Sequence, residues 1–114
     1  MLVNIDRKEV TTLPYREDYR RWTKNLTQED ILKIKEFIRE KISEKEVSVS
    51  SWLGSFDWSG TPLEKIKEGK DLNYNQSAML FGLFCMEIFI EHEDLWCFTK
   101  NEDIRGIVYF RIES

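Results

Sequence analysis

The spacing of apolar and polar side chains divides the chain into short alternating runs and two longer periodic stretches. Residues 28–44 carry the clearest helical pattern. Ile31, Ile34, Ile38 and Ile42 recur at three- and four-residue intervals and mark one face, widened on one side by Phe37. Thr27, with Asp30 three residues on, forms a capping-box pattern at its start, with Asp a weaker partner there than Glu. Glu29 precedes Lys33 by four residues, the favourable order for an ion pair along a helix. From Ala78 to Ile90 apolar side chains occupy nearly every position, which predicts a central helix buried on all sides, capped by Asn75. Ile88 and Ile90 also alternate with polar neighbours, so residues 87–92 are open between the end of that helix and a strand.

The shorter runs complete the pattern. Leu2, Val3 and Ile5 start a short strand, and the alternating, β-branched stretch from Glu46 to Leu53 reads as another. Leu95–Thr99 and Gly106–Ile112 read as a terminal β-hairpin. Pro14 opens a short helix that sets Tyr15, Tyr19, Trp22 and Leu26 on one face. Thr61, Pro62 and Glu64 make a strong helix start, and Gly69 ends that helix after two turns. Together these predict an α+β fold. A small antiparallel sheet of three to four strands packs against a buried central helix, with the amphipathic helix 28–44 and one or two short helices beside it.

Composition narrows the class. The chain has 114 residues, 41% of them apolar and 33% charged, which suits one globular domain over residues 1–114 and excludes wholesale disorder or a fibrous fold. No apolar run reaches the roughly 18 residues of a membrane span, so no membrane partner is expected. The first residues lack the basic start and cleavage site of a signal peptide. Cys85 and Cys97 sit in apolar surroundings, so the expected setting is a reducing cytoplasm. A net charge of −4 argues against non-specific nucleic-acid binding. Charge is uneven, with six basic and four acidic side chains in residues 1–25 against three and seven in residues 87–114. With an all-apolar helix to cover, that asymmetry makes a homodimer an expected assembly.

Five groups of residues carry chemistry, each with a plainer structural reading beside it. Trp52, Phe56, Asp57 and Trp58 lie in one Gly- and Ser-rich loop, where rings supply contact area and a carboxylate between them fixes polar groups or moves a proton. The plainer reading, which the sequence favours, folds the rings inward as a lid on the core. Arg16, Tyr19, Arg20 and Trp22 form a basic and aromatic surface of the kind that grips single strands, diluted by Glu17 and Asp18. An amphipathic helix that packs its rings inward and solvates its charges is the simpler account, which the sequence favours. Glu91, His92, Glu93 and Asp94 could hold a hard cation, but a single His and no paired-ligand spacing favour a solvated helix end, where a protonated His92 would favour the helix dipole. Cys85 and Cys97 read as small core residues rather than nucleophiles. Glu87 interrupts the apolar helix; with Gln76 and Glu91 it marks a thin wet edge rather than a buried catalytic acid.

No motif here implies a cofactor or a metal, and no catalytic motif is present. The leading expectation is a small intracellular binding or adaptor protein acting by protein–protein contact, because interface cores are rich in Trp, Tyr, Phe and Met. A pocket protein or small enzyme built on Asp57 is the alternative. A nucleic-acid-associated protein using residues 15–24 comes third.

Overall fold

The computed structural model describes residues 1–24, 26–42, 47–49, 58–68, 74–100 and 107–112. Among these residues nine elements follow in order: β1 (Leu2–Val3), β2 (Glu9–Val10), α1 (Arg16–Trp22), α2 (Gln28–Ile42), β3 (Val47–Val49), α3 (Glu64–Glu68), α4 (Tyr74–Glu91), β4 (Trp96–Lys100) and β5 (Ile107–Arg111). The fold is α+β, as the periodicity predicts. Among the described residues no helix is long and apolar enough to cross a membrane.

Helix α4 is the hub. Leu80, Phe81, Leu83, Phe84, Cys85, Met86, Ile88 and Phe89 are all buried, which takes contacts on every side of the helix. Helices α1, α2 and α3 pack on it, as does β1. Phe89 stacks on Tyr109 of β5 with ring centroids 4.1 Å apart and lies against Trp96 of β4 at 4.7 Å, joining helix to sheet. The alternation at 87–92 loses to the helix, which runs through Glu91 because Ile88 and Phe89 are both buried against the core. The helix starts at Tyr74, so Asn75 lies within it. Ala78 and Met79 stay exposed near the start of the helix, while most of its other apolar side chains are covered within the chain.

Helix α2 follows its sequence pattern closely. Ile34, Ile38 and Ile42 are buried, while Ile31 and Phe37 pack at the margin. The capping box is formed reciprocally: the Thr27 amide donates to Asp30 Oδ2 at 3.1 Å, and the Asp30 amide to Thr27 Oγ1 at 3.0 Å. That bonding, with the Thr27 amide first, lowers the Asp30 pKa. Lys33 and Glu29 pair at 3.2 Å.

The sheet departs from the expected antiparallel set of three to four strands. Among the described residues it has five, in the order β2-β1-β4-β5-β3, and β1 runs parallel to β4 with Leu2 opposite Trp96 and Val3 opposite Cys97. The other pairs are antiparallel, including the terminal hairpin, in which Phe98 lies opposite Tyr109. Strand β2 has only two residues, too few to show alternation. Ile5 does not extend β1. The chain turns there instead, with Asn4 Oδ1 accepting from the amides of Asp6 and Lys8 at 2.9 and 3.0 Å. A second turn precedes α3, where Gly60 adopts φ +76, a conformation that suits glycine best. The expected ends at Gly69 and at residues 43–44, and the outer parts of the strand from Glu46 to Leu53, lie outside the described residues.

Helix α1 begins at Arg16, not with Pro14 and Tyr15. Tyr15 takes a left-handed conformation (φ 54) at the N-cap and is exposed, so it leaves the face expected to hold it. Trp22 does join the core.

Candidate functional site

The wet edge of α4 is where the fold assembles its polar chemistry. Glu87 sits between two neighbouring helices. From α1, Tyr19 packs its ring edge-on against Phe84 at 5.6 Å, and its hydroxyl donates to Glu87 Oε1 at 3.2 Å. From α2, the Lys35 ammonium pairs with the same carboxylate and donates to Glu91 Oε1 at 2.8 Å. Lys35 is 9% exposed. An ammonium so far out of water requires compensation, and two carboxylates one helical turn apart supply it. The Tyr19 phenol is pushed well above its ordinary value, first by burial and then by the charge and hydrogen bond of Glu87. It stays protonated and acts as a donor.

Beside this cluster lies a cleft of about 500 Å³ between α1 and α4. One wall is Thr11, Thr12 and Leu13, the stretch that leaves β2 and bends at Thr12. Arg16 and Arg20 of α1 line it one turn apart, and Glu87, Ile90 and Glu91 line the α4 side. Among the described residues the guanidinium groups of Arg16 and Arg20 make no hydrogen bond and no ion pair, whereas Arg21 on the same helix is tied to Asp18 at 2.6 Å. The cleft's acids are thus engaged within the fold and two of its cations are not. Chemically it is equipped to hold an anionic group beside a short apolar contact.

Of the basic and aromatic residues singled out in the sequence, the structure brings Arg16, Tyr19 and Arg20 together here. It does not bring Trp22, which is 9% exposed and belongs to the core rather than to a surface. The correction has a packing cause: a short helix laid on α4 must turn its largest ring inward. Trp58 is likewise buried, at 7% exposure, with its ring 5.5 Å from Phe81. Its carbonyl accepts from the Thr61 amide and hydroxyl at 3.1 and 2.7 Å. Trp52, Phe56 and Asp57 lie outside the described residues.

The end of α4 differs from the expected protonated histidine. His92 Nδ1 accepts from the Asp94 amide at 3.0 Å, its ring meets Trp96 edge-on at 5.7 Å, and burial, outweighing Asp94, lowers its pKa. The amino group of Met1 supplies the positive end instead, donating to the carbonyls of His92 and Asp94. Cys85 and Cys97 are free and buried, and burial pushes both thiols up, away from the thiolate a nucleophile needs. Among the described residues no three His, Cys, Asp or Glu side chains are grouped to hold a metal ion.

Lys35 and Thr11–Leu13 are the site residues that sequence reasoning passed over. A signal for Lys35 existed. It falls four residues after Ile31 and three before Ile38, on the apolar stripe of α2, where a lysine requires an acid from the helix opposite. Comparison with family models, with curated proteins and with solved structures gives no match for this chain.

Proposed function

We propose that this protein is a small binding module that acts by contact with another protein, and that the cleft between α1 and α4 is where the partner is held. The observation that carries the reading is the pair Arg16 and Arg20, free of ion pairs among the described residues at the mouth of a cleft whose own carboxylates are bonded to Lys35 and Tyr19. Two unpaired guanidinium groups beside a cavity are suited to a partner, since arginine is enriched where interfaces form. The cleft's volume lies within the range of sites that take a few side chains or a small molecule. A cytoplasmic setting, in which Cys85 and Cys97 stay reduced, fits this reading.

The other two readings have less behind them. Burial of Trp58 removes one of the two rings on which recognition by its loop rested. For single-stranded nucleic acid, Trp22 is in the core and Tyr19 is packed on Phe84, so neither ring is free to stack on a base.

The test is to pan a library of short random-sequence peptides on the protein and, in parallel, on the double variant Arg16→Ala, Arg20→Ala. Both arginines are exposed, so the variant is expected to melt at the wild-type temperature. Peptides enriched on the wild type alone, with amide shifts mapping to α1 and to residues 11–13, are the expected result. Equal enrichment on both proteins, or none on either, overturns the reading.

A further inference from the structure

We infer that the partner contributes an extended acidic segment, which pairs with the edge formed by β2 and Thr11 and places a carboxylate between Arg16 and Arg20. The inference rests on the cleft being the protein-binding site and adds the chemistry of what enters it.

Two independent features meet at this place. The first is backbone. Strand β2 is at the end of the sheet order, so among the described residues one side of its main chain faces no neighbouring strand. The chain passes from β2 into Thr11, Thr12 and Leu13, none of which takes part in a hydrogen bond among the described residues. An open sheet edge with unused donors and acceptors, here β2 and Thr11 as far as the bend at Thr12, is what an added strand pairs with. The second feature is charge. Arg16 and Arg20 stand one turn apart beside that stretch, and the guanidinium fork matches a carboxylate through two parallel hydrogen bonds.

The remaining lining selects among anions. Lys35, Arg16 and Arg20 against Glu87 and Glu91 leave the cleft one positive charge in excess. A single carboxylate is attracted by that excess. A polynucleotide carries a charge on every residue and would bring further phosphates towards Glu91, which is exposed. Leu13 and Ile90 offer apolar surface to another side chain of the same segment, and side chains two apart share a face of a strand. Exposed Glu9 on β2 repels an acid further upstream, so the acidic position falls towards α1.

The experiment measures fluorescence anisotropy of a labelled, capped peptide with one Glu and, two residues along, one Val in an otherwise Thr and Ser sequence (the Val/Glu peptide), with three controls. These are the same peptide with Gln for Glu, the Val/Glu peptide N-methylated at alternate amides, and a labelled oligothymidylate. Free succinate serves as competitor. The Val/Glu peptide is expected to bind, and the Arg16→Ala, Arg20→Ala variant to weaken it by about tenfold or more at unchanged melting temperature. The Gln and N-methylated peptides are expected to lose binding, and succinate to compete only weakly. Equal binding of the Gln peptide, or no binding of the Val/Glu peptide while library peptides still require both arginines, overturns the acidic segment and leaves the protein-binding cleft standing. Full competition by succinate, or indifference to N-methylation, overturns the strand. Tighter binding of oligothymidylate than of peptide replaces both readings with a nucleic-acid site.

Discussion

Lys35 shows how one residue links stability to the site. It is a charged side chain on an otherwise apolar stripe, and its position is tolerable only because α4 presents Glu87 and Glu91 to it. Removing it strands Glu87, held then by Tyr19 alone. Because Glu87 keeps some contact with water, Lys35→Ala is expected to cost about 2–3 kcal/mol, below the figure for a wholly buried pair. Lys35→Met combined with Glu87→Leu is expected to recover most of that loss, since an apolar pair of similar volume needs no desolvation of charge. A double-mutant cycle followed by urea denaturation checks both. His92 makes a second residue-scale prediction. Burial holds its pKa below the ordinary 6.5, so the unfolded chain binds the proton more tightly than the folded one. Stability from this group is full above about pH 6.5 and declines as pH falls through the lower, folded value. Thermal unfolding of the wild type between about pH 5 and 7 is expected to show this decline, and His92→Gln to flatten it.

Among the elements, α2 and α4 differ in what their sequences specify. The stripe and capping box of α2 locate both its start and its buried face, because only one side of it meets the core. Helix α4 is apolar nearly all round, so its sequence announces burial but names no neighbour for any face. Its amides are expected to exchange with solvent more slowly than those of any other helix, and Leu83→Ala to destabilise the fold by about 2–5 kcal/mol. The turn before α3 belongs to the same core. Trp58 packs on Phe81 of α4, so Trp58→Ala is expected to behave as a core truncation and cost roughly 3–5 kcal/mol in chemical denaturation. Near-wild-type stability of that variant would return the ring to the surface.

At the scale of the whole molecule, the first strand is inserted between β2 and a strand near the other end of the chain. Leu2 is fully buried at this junction, and Leu2→Ala is expected to cost about 2–5 kcal/mol of stability by urea denaturation, as a central core position does. Such pairing across the chain was not legible beforehand. Alternation marks a strand and hints at its buried side, but carries no record of which strand lies beside it or in which direction. What the sequence determined by itself was local: the α+β class, the stripe and capping box of α2, the terminal hairpin, the burial of α4 and the wet edge holding Glu87 and Glu91. These follow from local patterns, which depend on neighbours two to four residues away. Tertiary structure alone decided the parallel β1–β4 pair, the packing of Trp58 on Phe81, and the meeting of Arg16, Tyr19 and Arg20 with the edge of α4. A cleft is made from elements distant in sequence. Burial and charge pairing act through space once the core has closed, so no local pattern encodes which side chains they bring together.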